Sequence, residues 1–118
     1  MGMGLNNMSD RLFVPLNKYW YNLFAEGKKK WEIRGLNNRF NLNTVKVGRE
    51  VELRKGYRTN GALWGKIERV FVTDSVYDVP PEVKNELFPE PLEPQQREEI
   101  RHYNAKYTKF IVFKVRVD

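Results

Sequence analysis

The chain has no cysteine, which excludes disulfides, thiolate nucleophiles and cysteine-ligated metal sites. It has one histidine, His102, and a zinc site built from histidines needs more than one. There is no signal peptide and no apolar run approaching the roughly 18 residues of a membrane span, so a cytoplasmic protein without membrane attachment is expected. Internal repeats and low-complexity tracts are also missing. What is there is 118 residues, 41% hydrophobic, 31% charged and 14% aromatic. That is too apolar for a disordered chain and long enough for a single core. One domain over residues 11–118 is expected, after a flexible N-terminus at 1–10 that contributes little to the fold.

Charge is more telling than composition. The net value is +6, unevenly spread. Residues 1–70 hold 14 Lys or Arg against 6 Asp or Glu, a net of +8, whereas residues 71–118 hold 7 against 9, a net of −2. From Lys28 to Arg58 ten basic residues stand against Glu32, Glu50 and Glu52. Such polarity suits one face for phosphate and another for solvent or a partner. A generic basic surface would give the same counts.

Leu12 to Pro15 is short and apolar and suits a first strand closed by Pro15. Leu16, Tyr19, Trp20, Leu23 and Phe24 then fall at helical spacing, which predicts a helix over 17–26 with Asn17 as N-cap and Gly27 in the left-handed position after it. Lys30 to Arg34 alternates, with Trp31 and Ile33 on one face and Lys30, Glu32 and Arg34 on the other. Residues 37–44 read as a loop, and 46–54 as a turn and a strand with Val51 and Leu53 inward. The Asn60-Gly61 pair predicts a hairpin. A return strand runs over 63–73, with Gly65 as a bulge or bend. Pro81 opens a short helix to about Leu87 and Pro94 another to about Tyr103. Residues 109–117 make a final strand, with Ile111, Phe113, Val115 and Val117 opposite Phe110, Val112, Lys114 and Arg116. Strands and short helices in this order suit a small curved barrel better than a parallel α/β sheet.

The junction of the first helix and the second strand, Gly27-Lys-Lys-Lys-Trp-Glu-Ile-Arg34, sets three lysines, a carboxylate and an arginine on a rigid framework. An anion or nucleotide site needs such a framework. Read as Gly-x-Lys-x-x-Glu-x-Arg, with Gly27, Lys29, Glu32 and Arg34 in the fixed places, it resembles the signature of the ASCH domains, small β-barrel proteins related to the PUA RNA-binding fold. The resemblance covers about residues 12–117. It includes a Val47-Gly48-x-x-Val51 turn into a strand, an apolar strand from Trp64 to Val72, then helices and a terminal strand. It implies an α+β, mainly β fold: a PUA-like β-barrel of about five to six strands with two to three short helices. It also implies RNA binding, with a cleft that holds a nucleotide or modified base.

One branch of that family, small amidohydrolases acting on N(4)-acetylcytidine, uses a lysine, a threonine and a glutamate. The lysine corresponds to Lys29, but Glu32 stands where the threonine would, and the missing hydroxyl removes the nucleophile of that mechanism. The glutamate belongs in the helical segment before the last strand, where Glu86 and Glu90 are the nearest candidates.

Each candidate has an ordinary reading beside the functional one. Lys28, Lys29 and Lys30 follow a helix C-terminus, where positive charge complements the dipole without any ligand. Lys29 is otherwise a phosphate or base contact, or an amine activated by burial beside Arg34. Glu32 is either a base contact and general base or an ion-pair partner of Arg34 or Lys29. Arg34 can hold a phosphate through its planar fork. One of Tyr19 and Trp20 faces the core, and the other can stack on a base. Arg54, Lys55, Tyr57, Arg58 and Trp64, around the hairpin, are either nucleic-acid contacts or a solvated turn. His102 reads as a surface residue.

The expectation is an RNA- or nucleotide-binding domain that needs no metal or cofactor and is a monomer by default. The first alternative is a hydrolase of RNA or a modified nucleoside with Lys29 and Glu32 as its catalytic pair. The second is a protein-interaction module.

Overall fold

The described residues, 10–57 and 61–118 of a computed structural model, form eight elements. These are β1 (Leu12–Leu16), α1 (Lys18–Ala25), β2 (Trp31–Gly35), β3 (Glu50–Lys55), β4 (Ala62–Thr73), α2 (Pro81–Leu87), α3 (Pro94–Lys106) and β5 (Phe110–Val117). The five strands make one sheet in the order β1-β3-β4-β5-β2, with β1 parallel to β3 and every other pair antiparallel. Arg34 Nη2 on β2 donates to the Pro15 carbonyl on β1 at 2.6 Å. The two edge strands of the sheet therefore come within one side chain of each other, and the sheet curls into a half-barrel. This is the mainly β, α+β architecture expected from the sequence, with five strands and three helices among the described residues.

The first half of β5, residues 110–113, is apolar at both parities because both of its faces are covered there. Ile111, Phe113 and Val115 enter one core with Leu12, Val14 and Leu16 of β1, Tyr21 and Phe24 of α1, and Val51 and Leu53 of β3. Phe110 and Val112 enter a second core with Trp31 and Ile33 of β2 and with residues of α2 and α3, including Val83, Leu87 and Ile100. Trp20 of α1 packs against both. No described helix is long and apolar enough to cross a membrane.

Local chemistry places most boundaries. Asn17 Oδ1 accepts from Trp20 N at 3.1 Å and caps α1, while Gly27 takes the left-handed φ of 77° that ends it. Pro81 and Pro94 open α2 and α3. The loop after β2 has no apolar period, yet Asn37 Oδ1 accepts from the backbone N–H groups of Arg39 and Phe40 and turns the chain so that Phe40 is buried. There Phe40 stacks on Phe113, with centroids 6.4 Å apart.

Three expectations need correction. Pro15 does not end β1, which runs on to Leu16; on an edge strand its missing N–H costs no ladder bond. α3 continues past Tyr103 to Lys106. The irregularity in β4 lies between Ile67 and Arg69, not at Gly65. Arg58 and the Asn60 of the predicted hairpin, like most of the 1–10 segment expected to be flexible, lie outside the described residues.

Gly65 instead allows a close approach. A Cβ there would sit 2.5 Å from the backbone oxygen of Arg116 and 3.0 Å from Val115 Cγ1. Backbone cannot swing aside as a flexible side chain does, so Gly65→Ala is expected to lower stability by about 1–3 kcal/mol, as overpacking does. Denaturant unfolding would check this, with an unchanged midpoint counting against it.

Candidate functional site

The charged motif is assembled by the end of α1. After Gly27 the backbone N–H groups of Lys28 and Lys29 both return to the Leu23 carbonyl, at 2.9 and 3.1 Å, and Lys30 N donates to Glu86 O at 2.8 Å. Lys29 therefore lies in the turn before β2 begins at Trp31. On an unbroken strand positions 29 and 32 would point to opposite faces. The turn lets them meet. Lys29 Nζ lies 3.3 Å from Glu32 Oε1 and donates to the Leu87 carbonyl at 2.6 Å. Arg34 Nε donates to Glu32 Oε2 at 2.7 Å and Arg34 Nη2 to the Pro15 carbonyl. Lys29 is 2% exposed and Glu32 7%, so the chain of charges is internal.

Burial sets its electrostatics. Desolvation lowers the Lys29 pKa to about 8, against the charge and hydrogen bond of Glu32, which favour the ammonium. The ammonium is ringed by aromatic faces, with the centroids of Trp20, Phe24 and Phe88 at 5.1, 5.4 and 5.7 Å. For Glu32, burial pushes the pKa up, but Arg34 and Lys29 together outweigh it and hold the carboxyl below its usual range. Glu32 is thus ionised at neutral pH.

This chain of charges lies at one side of a half-open cavity of about 230 Å³ between β1, β2, α1 and α3. Its apolar walls come from Trp20, Ile33, Val76, Phe88 and Ile100, and its polar groups from Asn17, Lys29, Glu32, Arg34, Glu99 and Tyr103. Tyr103 Oη accepts from Gly35 N at 2.7 Å, which leaves the phenol proton to donate. Burial raises the Tyr103 pKa, so that proton stays in place. The cavity therefore offers an ionised carboxylate and a hydroxyl donor between apolar plates.

Of the residues singled out from the sequence, Trp20, Lys29, Glu32 and Arg34 line this cleft. Tyr19 does not; its ring meets Trp20 edge-on at 4.8 Å. Lys28 and Lys30 are exposed and pair with Glu26 and Glu86. Arg54, Lys55, Tyr57 and Trp64 lie away from the cleft: Arg54 pairs with Glu52, Lys55 Nζ sits 5.2 Å from the Tyr21 ring centroid, and Tyr57 and Trp64 are exposed. His102 is on the surface, 2.9 Å from Glu98.

Neither acid nearest to the expected family glutamate reaches the cleft. Glu86 faces Lys30, and Glu90 Oε1 accepts from Leu92 N at 3.1 Å. The carboxylate that α3 contributes is Glu99, one helical turn before Tyr103. Its sequence signal, Glu99-Ile100-x-x-Tyr103 with Ile100 in the core, is an ordinary amphipathic spacing that nothing marks as a site. Among the described residues no three acidic or histidine side chains gather as a metal site would need.

No family model matches the sequence, and no curated protein does. Solved structures do. A hypothetical protein, PH0355, is 18% identical with a TM-score of 0.65 over 90% of this chain and 97% of its own. The ASCH protein of Zymomonas mobilis is 17% identical with a TM-score of 0.63 over 88% of this chain, which spans 65% of its length. The protein PF0455 of Pyrococcus furiosus is 16% identical with a TM-score of 0.58 over 91% of this chain and 96% of its own.

The lowered Lys29 pKa has a consequence for stability. An unfolded lysine titrates near 10.4. Between about pH 8 and that value the folded chain binds fewer protons at this residue than the unfolded one, so this group's contribution to stability rises with pH across the window. Relative to Lys29→Met, the wild type is expected to gain about 3 kcal/mol between pH 8 and pH 10.5, from roughly 1.4 kcal/mol per pKa unit. Denaturant unfolding at both pH values reads the difference, and parallel profiles would show that the ammonium is not desolvated.

Proposed function

We propose that this chain, whose fold is that of an ASCH domain, binds RNA and takes one unpaired base or nucleotide into the cleft beside Lys29, Glu32 and Arg34. The observation that carries this reading is the ionised, buried carboxylate of Glu32 in a small cleft with an aromatic wall. A carboxylate held in that state accepts hydrogen bonds from an exocyclic amine, and Tyr103 supplies a donor for a ring nitrogen or carbonyl. Trp20 and Phe88 offer faces on which a base can stack. The volume of about 230 Å³ lies below the roughly 300–1,000 Å³ of sites for larger ligands, which favours a single base or nucleoside.

Arg34 reads as part of the cleft floor more than as a phosphate clamp. Its Nε and Nη2 are already committed to Glu32 and Pro15, so its fork is not free for a bidentate grip. Backbone phosphates would instead meet the exposed basic residues outside the cleft.

A second reading rests on Lys29. With a pKa lowered to about 8 it is partly a free amine near neutral pH, and it lies 3.3 Å from Glu32. Lys29 and Glu32 would then be the acid–base pair of a hydrolase acting on RNA or a modified nucleoside, with Arg34 stabilising negative charge.

Incubating the purified protein with total cellular RNA at low and moderate salt, followed by nucleoside mass spectrometry, separates the readings. Binding predicts retained, intact RNA whose retention falls with salt. Glu32→Gln should weaken it roughly tenfold to a hundredfold, the value of about 1.5–3 kcal/mol of a hydrogen bond to a charged group. Cleavage or loss of one modified nucleoside, abolished in Lys29→Ala, would replace binding by hydrolysis. No retention at low salt would remove both and leave a protein partner as the better reading.

A further inference from the structure

The helices cover only part of the outer face of the sheet. α2 and α3 lie over Trp31 and Ile33 of β2 and over Phe110 and Val112 of β5. Further along β5 the same face is polar: Lys114 is half-buried and Arg116 exposed. Across β4, β3 and β1 this uncovered part carries a distinct pattern. Glu52 is the pairing partner of both Phe13 and Trp64, so these three form a row across three strands. Lys66 pairs with Glu50 on one side and Arg116 on the other, forming the next row. On the opposite side Arg54 pairs with Pro15. Trp64 is 39% exposed, with the Arg11 guanidinium 4.2 Å from its ring centroid; the Arg54 guanidinium lies 5.6 Å from the Phe13 ring centroid. Tyr57, 76% exposed, adds a third ring 6.4 Å from Phe13.

We propose that this face is the track of a single RNA strand, with Arg11, Phe13, Arg54, Trp64, Lys66 and Arg116 contacting the nucleotides that flank the one held in the cleft. The inference rests on the reading of the cleft as an RNA site and extends it to a second surface. Charge and chemistry select the occupant. Glu52 is neutralised by Arg54, Glu68 lies 3.8 Å from Lys114 and 3.9 Å from Arg116, and Glu50 stands beside Lys66 in its row; Arg11, Arg54, Lys66, Lys114 and Arg116 outnumber these three acids, so the excess on this face is basic. A basic surface interleaved with exposed aromatic rings fits a single strand, whose phosphates take the charges and whose bases take the rings.

The track is continuous with the cleft because Pro15 belongs to both. It lines the cavity, receives Arg34 through its carbonyl, and shares its strand parity with Phe13. From Pro15 to Arg11 is four residues, about 13 Å at roughly 3.3 Å per strand residue. A cleft that holds one base would therefore feed a strand directly onto the platform.

Fluorescence anisotropy with a labelled mixed-sequence RNA of about twelve nucleotides, compared with one of about three, tests this. The wild type should bind the longer RNA more tightly. Reversing two exposed charges in Lys66→Glu/Arg116→Glu should weaken the longer RNA roughly tenfold. It should also flatten the slope of log affinity against log salt by about 1.4, from about 0.7 per phosphate, while leaving the short RNA nearly unaffected. Trp64→Ala should weaken the longer RNA roughly tenfold by loss of stacking. Equal affinity of wild type and both variants for the longer RNA would overturn the track while leaving the cleft reading intact. If these variants weaken binding but Glu32→Gln does not, the track stands and the cleft reading falls. A wild type that binds neither RNA overturns both.

Discussion

The half-barrel depends on a chain of charges running from Lys29 through Glu32 and Arg34 to the carbonyl of Pro15. The sheet does not close through its own hydrogen bonds, because β1 and β2 are both edges. Arg34 spans the gap with one nitrogen on Glu32 and another on β1. Glu32 in turn is what makes a buried Lys29 tolerable, and the Leu87 carbonyl ties that lysine to the end of α2. Three elements, β1, β2 and α2, and the turn after α1 are thus fixed relative to one another by three side chains. A buried ion network of this kind adds little net stability over apolar residues of the same volume, but removing a single member leaves a charge uncompensated. We read its retention as a means of fixing geometry, which a packed apolar core would achieve less specifically at the mouth of a cleft.

Much of this was legible in the sequence, and what was not has physical causes. Helix spacing, Asn17, Gly27 and the two prolines placed the helices, because each is a local signal acting on its own neighbourhood. The apolar, alternating run of residues 109–117 marked the final strand, though not that both faces of its first half are covered. The charged motif was visible as a motif, and strand parity alone requires Lys29 to sit in a turn if it is to meet Glu32. Arg34's engagement with Pro15 was not visible, since it depends on curvature that brings together residues nineteen positions apart. Phe40 was missed because asparagine side chains, not periodicity, deliver it to the core. Glu99 and Tyr103 were missed because α3 reads as an ordinary amphipathic helix, and only its docking turns those two residues toward the cleft. Gly65 was read as a bend when its role is close approach of β5, a distinction that local sequence does not encode.

The same geometry divides labour between inside and outside. Within the cleft the charges already satisfy one another, so a ligand there meets directional acceptors and donors more than net charge. Such contacts discriminate one base from another and are little screened by salt. Outside, the exposed lysines and arginines give attraction without discrimination, and salt screens them strongly. A motif that in sequence resembles a uniform patch of positive charge is therefore two systems: Lys29, Glu32 and Arg34 are internal, while Lys28 and Lys30 on either side are solvated and paired locally.

Pro15 links these two systems, and its position follows from what it lacks. A residue with an N–H at this place on an edge strand would present an unpaired donor at the rim of the cleft. Proline presents none, while its carbonyl remains free to accept Arg34 and its ring forms part of the cavity wall. The backbone can then run past the cleft as a strand without a polar group in need of water. Toward the start of that strand Phe13 and Arg11 continue at the same parity, so the residue that receives Arg34 also adjoins the basic, aromatic face. Closure of the half-barrel and continuity of the proposed RNA path thus depend on the same short segment of β1.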